Sequence, residues 1–264
     1  MLARAMTDAS KLPPIPKVAL VTGAAKRIGR MIALALAKDG YAVGIHYNSS
    51  AKDADATVDE IGRLGSKGIA LKADLAKEAE VRTLVPRVTE ALGPLGVLVN
   101  NASLFDRDEA ATVTRDSWDA HMEANLRAPF VLIQGLVAQL PAGAEGVVVN
   151  MLDERVLSLT PHFVSYTLSK AGLWTLTQTL ALALAPRVRI VGIGPGPTMP
   201  SPRQSVAQFA RQAASMPLQR GADPSEVAEA VRFILAARSM TGTIVLLDGG
   251  QHLAWSTANR DTLE

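Results

Sequence analysis

KVALVTGAAKRIG, residues 17–29, decides the fold. Its first part, KVALVT (17–22), is a short apolar run that stops at Gly23 and reads as a buried strand. From Arg27 to Asp39, apolar residues stand at 28, 31, 32, 35 and 36, a helical spacing, and Gly40 ends it. Gly23 permits a tight turn between the two, and Gly29 a close helix–strand contact. Free N–H groups at the start of such a helix suit a pyrophosphate. The spacing is not GxGxxG, because the middle glycine is absent, and a glycine can also be plain turn punctuation.

Outward from this unit the same alternation repeats. YAVGIHY (41–47), GIALKAD (68–74), GVLVNNA (96–102), GVVVNM (146–151), RVRIVGI (187–193) and TIVLLDGG (243–250) read as strands. Helices are expected over 51–64, over 76–92, from Thr114 to about Gln139, from Phe163 to Leu184, and near 203–214. A last helix starts at Pro224, with Asp223 as its cap. Apolar strands separated by helices predict a single-domain α/β fold, a doubly wound (Rossmann) three-layer sandwich with a seven-stranded parallel sheet over 17–264. In such a sheet, ligands bind beyond the carboxyl ends of the strands, which selects 22–29, 46–51, 100–105 and 150–153.

Composition fits this reading. The chain has 264 residues, 48% hydrophobic and 20% charged, in the range of one large globular domain. It contains no Cys, which excludes disulfides, thiolate catalysis and Cys-ligated zinc. Net charge is +2 and aromatics are 4%, so nothing points to a nucleic-acid partner. No apolar stretch is long enough for a membrane span. Residues 1–16 lack a continuous apolar core for a secretory signal and read as a mobile tail ending in a Pro-rich spacer, with a cytoplasmic location as the default. His46, His121, His162 and His252 are scattered without ligand spacing, so no metal site is expected.

The end of the second strand bears on the cofactor. An enzyme using NAD places Asp or Glu there for the ribose 2′-OH. Here the chain reads His46, Tyr47, Asn48, Ser49, Ser50, with no carboxylate to repel a 2′-phosphate. Arg27 and Lys26 can supply a cation, and the two serines hydrogen bonds, which favours NADPH. The plain alternative makes Arg27 a solvated helix-start residue. Tyr166 and Lys170 stand four residues apart, on one helix face, one loop after the fifth strand. A phenol titrates near pH 10, and an adjacent ammonium brings it toward a useful range for proton transfer.

With TGAAKRIG (22–29), NNAS (100–103), Asn125, YTLSK (166–170) and PGP (195–197) in order, the sequence resembles the short-chain dehydrogenase/reductase family over 17–252. The resemblance implies that Tyr166 is the proton donor and that Lys170 holds the nicotinamide ribose and lowers the Tyr pKa. Asn125 is implied to anchor a proton-relay water. By the same resemblance Asn101, Ala102, Ser103, Ile28, Met151, Pro195 and Gly196 line the cofactor, Asp74 and Leu75 flank its adenine, and the assembly is a homotetramer or homodimer.

One position departs from the family. Most members have Ser thirteen residues before the Tyr, and here Asp153 stands there. An ionised Asp cannot donate to a ketone oxygen that becomes negative during hydride transfer. A protonated Asp, or one relaying protons to Tyr166, suits a substrate whose nitrogen must be protonated. Otherwise Ser158 substitutes, or Asp153 is a loop residue. TGAAKRIGR, HY, NNASxF and the Asp–Tyr–Lys set are together similar to the pteridine reductase branch, and DGGQHL (248–253) to its bacterial dihydromonapterin and dihydrofolate reductases. This implies that Phe105 stacks on a pterin, with Pro197 and Met199 nearby; a loop aromatic packed on the core is the alternative. In the eukaryotic enzymes of that branch, an Arg that helps hold the 2′-phosphate stands where Ser49 is here.

Residues 198–217 are placed to cover the substrate, or form a surface excursion. DRDE (106–109) reads as a solvated loop, and His162 as a surface residue with substrate contact as the alternative. Trp174 and the Leu/Ala stripe over 171–185 are core or subunit interface. The expected function is NADPH-dependent reduction of a pterin, dihydropterin or dihydrofolate. The alternatives are a ketone, 3-oxoacyl or sugar carbonyl reductase, and a catalytically silent cofactor-binding regulator.

Overall fold

The computed structural model describes residues 12–201 and 203–253. The strands are β1 (Val18–Val21), β2 (Ala42–Tyr47), β3 (Gly68–Lys72), β4 (Val97–Asn100), β5 (Gly146–Met151), β6 (Val188–Pro195) and β7 (Ile244–Leu247). They form one parallel sheet in the order β3-β2-β1-β4-β5-β6-β7. The helices are α1 (Arg27–Lys38), α2 (Ala51–Arg63), α3 (Glu78–Leu92), α4 (Arg115–Met122), α5 (Ala128–Gln139), α6 (Val164–Leu184), α7 (Val206–Ala214) and α8 (Pro224–Ala236). No helix among the described residues is long and apolar enough to cross a membrane.

Alternate strand residues feed two cores, which is why the strands are apolar runs and not alternating patterns. Ala19, Val21, Val97, Val99, Val147 and Val149 pack under α1, α2 and α8. Val18, Leu20, Leu98 and Val148 pack under α3, α5 and α6. Burying each Val or Leu contributes roughly 1.5–3 kcal/mol.

Strand order reverses between β1 and β4, and the chain knots the two tips together. Thr22 Oγ1 accepts the N–H groups of Asn101 and Ala102, both at 2.9 Å, and Asn101 Nδ2 donates to Thr22 O at 2.8 Å. The cleft therefore opens at this switch point, as open α/β sheets require. At the other end of the sequence, α8 starts as its residues predict. Asp223 Oδ1 accepts from Ser225 N at 2.8 Å, Glu226 Oε2 accepts from Asp223 N at 2.7 Å, and Pro224 fills the first turn.

Two expectations are corrected. The long helix from Thr114 to Gln139 is interrupted at Glu123–Arg127 by a π-turn, in which Ala128 N–H bonds Glu123 O five residues back. Pro129 has no N–H to offer the Asn125 carbonyl four residues back, so the ladder shifts at this point. Of the 1–16 tail, residues 1–11 lie outside the described residues. The rest is fastened: Pro14 O accepts from Glu145 N at 3.0 Å, Ile15 packs on the core, and Pro13 O accepts from Arg238.

Candidate active site

The β1–α1 turn is built on two glycines. Gly23 has φ +61°, a left-handed conformation that side chains disfavour. A Cβ on Gly29 would lie 2.4 Å from Gly23 O and 2.5 Å from Asn101 Nδ2. The turn is braced from behind by His46, which accepts from Gly23 N at 3.1 Å and bonds Ala73 O at 3.1 Å. His46 is 2% exposed, and burial pushes its pKa down. It therefore supports the turn from inside, whereas the sequence reading made it a cofactor residue.

The two cations of the turn also differ from expectation. Lys26 reaches outward to Asp53 in the first turn of α2, at 3.0 Å. Arg27 turns inward with φ +53°, and its guanidinium donates to Pro200 O at 2.9 Å and Met199 O at 3.3 Å. Lys26, not Arg27, is thus the cation beside the start of α2. Ser50 precedes that helix without making a side-chain capping bond, which leaves its hydroxyl beside the unpaired N–H groups of the first turn.

A cleft of about 240 Å³ lies beyond β4, β5 and β6. It gathers Arg27, Ile28, Asn101, Ser103, Phe105, Met151, Asp153, Tyr166, Lys170, Pro195, Gly196, Pro197 and Met199. Gly23, Lys26, Tyr47, Asn48, Ser49, Ser50, Asp74, Leu75 and Ala102 lie outside it, at and behind the tips of β1, β2, β3 and β4. Asp74 Oδ1 accepts from Ala76 N at 3.0 Å, and Leu75 is buried.

At the centre of the cleft, Tyr166 donates its hydroxyl hydrogen to Asp153 Oδ2 at 2.6 Å. Asp153 Oδ1 accepts from Arg155 N at 2.9 Å, and Arg155 Nη1 stands 3.7 Å from Oδ2. The carboxyl group is thus held from two sides, by the Tyr166 hydroxyl and by the Arg155 backbone. Lys170 Nζ donates to Met151 O at 2.7 Å and lies 5.8 Å from the Tyr166 ring centre. Burial lowers its pKa to about 8. The phenol shifts opposite to expectation: burial, and then the Asp153 charge, push it well above its ordinary value. Tyr166 is thus held as a neutral O–H donor.

Asn125 sits in the π-turn and is 1% exposed. Its side chain is consumed within the protein: Oδ1 accepts from Leu104 N at 2.8 Å, and Nδ2 donates to Leu104 O at 2.9 Å and Ser169 Oγ at 3.0 Å. It stitches the NNAS loop to α6. Phe105 lines the cleft, yet stacks on Phe163 at 4.5 Å and meets Tyr166 edge-on at 4.6 Å. Arg155 and Arg203 lie over the same ring at 5.3 and 5.2 Å. Arg203 also donates to Phe105 O and pairs with Asp106 at 3.1 Å. From segment 198–217, Met199, Gln204 and Phe209 line the cleft.

DRDE (106–109) is solvated only in part, through the exposed Asp106 and Arg107. Asp108 is 5% exposed and bonds Ser165, while Glu109 bonds Arg107 at 2.7 Å and His162 at 2.9 Å. His162 is engaged there and does not line the cleft. Neither does Ser158, the candidate substitute for the family serine. Among the lining residues that sequence reasoning did not single out are Glu154, Arg155 and Gln251. Glu154 is 3% exposed, with Oε2 unpartnered, and burial followed by the Asp153 charge raises its pKa to about 8. A charged DER triplet beside the fifth strand tip was the available signal.

A profile of the short chain dehydrogenases matches residues 17–210. The chain is 31% identical over 245 residues to the 3-oxoacyl-[acyl-carrier-protein] reductase FabG of Staphylococcus epidermidis, covering 90% of this chain and 99% of that one. Among solved structures it is similar to FolM alternative dihydrofolate reductase 1 from Brucella canis, complexed with NADP. Identity is 44%, the TM-score 0.89, and coverage 95% of this chain and 98% of that one. The Brucella suis protein of the same name, also with NADP, gives 43%, 0.88, 96% and 99%.

Proposed function

The chain belongs to the short-chain dehydrogenase family, and on that premise we propose that it is an NADPH-dependent reductase of a pterin, dihydropterin or dihydrofolate. The reaction adds hydride to a ring carbon and a proton to the adjacent nitrogen. The observation that carries this reading is the 2.6 Å bond from Tyr166 to Asp153, a carboxyl where most of the family has a hydroxyl. The Brucella proteins named as dihydrofolate reductases support it.

The residues fit a phosphorylated dinucleotide. The Gly23–Gly29 turn leaves N–H groups for the pyrophosphate. Lys26, Ser49 and Ser50 stand at the start of α2 for the 2′-phosphate, and the end of β2 carries no acid. Asp74 and Leu75 flank the adenine, and Lys170 holds the nicotinamide ribose. When bound, NADPH supplies the hydride.

The chain's own residues manage the proton. Burial keeps Tyr166 protonated until a basic nitrogen accepts its hydrogen. The Asp153 carboxylate orients the phenol and, once the proton has left, stands beside a developing phenolate. That repulsion is offset by Arg155 and Lys170. A ketone fares worse here, because its oxygen becomes negative beside a carboxylate that cannot donate.

A 3-oxoacyl reductase is the second reading, favoured by the FabG likeness. It requires a carbonyl donor in place of the serine, and Ser158 is outside the cleft. Exposed Leu168 and Leu182 on α6 fit assembly into a homotetramer or homodimer, in a cytoplasmic setting. The test is NADPH oxidation with dihydrobiopterin, dihydrofolate and an acetoacetyl ester. Turnover of a pterin or folate well above the ester supports the reading. Preference for the ester overturns it, and NADPH binding without any turnover favours a regulator.

A further inference from the structure

Helix α6 carries Tyr166 and Lys170, yet its own sequence does not cap it. The residue before it, Phe163, is left-handed at φ +59° and offers no side-chain acceptor. The N–H groups of a helix's first turn need acceptors from elsewhere. Here three successive N–H groups, those of Phe163, Val164 and Ser165, find theirs on a single residue, Asp108, in the loop after β4. Its carbonyl accepts from Phe163 N at 2.9 Å and Val164 N at 3.4 Å, and its Oδ1 accepts from Ser165 N at 3.1 Å. Its Oδ2 accepts from the hydroxyls of Ser165 and Ser117, the latter at 3.2 Å. A carboxylate at this end also complements the helix dipole.

The same loop is fastened a second time. Asp106 N–H donates to His121 Nε2 at 3.1 Å, so Nδ1 carries the ring hydrogen and faces Ser117 O at 2.9 Å and Ser165 Oγ at 2.7 Å. Between these anchors and the helix lies the Phe105 ring, stacked on Phe163 and edge-on to Tyr166. The loop that presents Phe105 and the helix that presents Tyr166 thus share one buried junction.

We propose that Asp108 is a positioning residue, which locks the Phe105 loop to the first turn of α6 so that substrate platform and proton donor keep one fixed relation. The inference rests on the reading above only in that Phe105 meets the substrate and Tyr166 gives the proton. Asp108 touches neither substrate nor cofactor and acts through the other two.

A double-mutant cycle tests it. Asp108→Ala is expected to lower kcat with a dihydropterin at least about tenfold, about 1.4 kcal/mol of barrier, while the NADPH Kd changes by less than about twofold. Asp108→Asn restores part of kcat. Combined with Phe105→Ala, Asp108→Ala adds little further loss, because both break the same relation. A folded Asp108→Ala enzyme with near-normal kcat overturns the proposal, as do losses that multiply, which indicate independent structural damage. If Asp108→Ala does not fold, Ser165→Ala paired with Phe105→Ala is read by the same criterion. A wild-type enzyme that turns over only the acetoacetyl ester refutes the pterin reading separately, and the cycle is then read on the ester.

Discussion

Tyr166 gives its hydroxyl hydrogen to Asp153 Oδ2 across 2.6 Å, although the two residues come from different elements, α6 and the turn after β5. The contact joins a buried phenol to a half-buried carboxyl at the cleft. Removing the phenol oxygen while keeping the ring isolates its role. Tyr166→Phe is expected to lower kcat by roughly 10²- to 10⁴-fold, with KM and NADPH affinity little changed. Steady-state kinetics and fluorescence titration check this, and a loss under tenfold contradicts it.

The end of β2 makes a cofactor prediction. Introducing a carboxylate by Ser49→Asp sets a like charge against a 2′-phosphate. The NADPH Kd should rise at least about tenfold while that for NADH changes little. Titration with both dinucleotides measures the ratio, and equal effects on the two place the 2′-phosphate elsewhere.

Glu154 makes a stability prediction. Its carboxyl is buried with an unpartnered oxygen, and its pKa in the folded protein is about 8. An unfolded Glu titrates near 4.3. The folded state therefore holds the proton more tightly, and the stability this brings is fully present at low pH. It is lost as pH rises from about 4.5 through about 8, by an amount of the order of a few kcal/mol. Glu154→Gln should flatten the fall in Tm between about pH 5 and 8. An unchanged Tm profile in this variant contradicts the burial argument.

Outside the cleft lining, Asp223 caps α8 through Ser225 N and exchanges with Glu226. Asp223→Ala should cost about 1 kcal/mol, read as a Tm lower by roughly 2–4 °C, with kcat unaltered. A loss of activity at full stability contradicts a purely local role.

The strands were legible because a sheet covered on both faces writes itself as apolar runs, and all seven fall within the expected spans except β6, which runs on to Pro195. That Asp153, Tyr166 and Lys170 share one cleft was legible too, since they follow the fifth strand, beyond whose tip the parallel sheet must open. What was not legible depends on contacts between distant segments. His46 looks like a cofactor residue until the Ala73 carbonyl and Gly23 N–H are seen to occupy its ring. DRDE has the composition of a solvated loop, and only the fold brings Ser165 and His162 to it. The direction of the Tyr166 shift depends on depth of burial, which the four-residue spacing to Lys170 does not encode.

The most direct measurement is the ratio of kcat/KM for a dihydropterin to that for an acetoacetyl ester, in the wild type and in Asp153→Ser. The carboxyl beside the phenol is predicted to set the preference for C=N bonds, so the ratio should fall at least about tenfold in the variant. A ratio that holds or rises when the carboxyl is replaced by a hydroxyl contradicts the account.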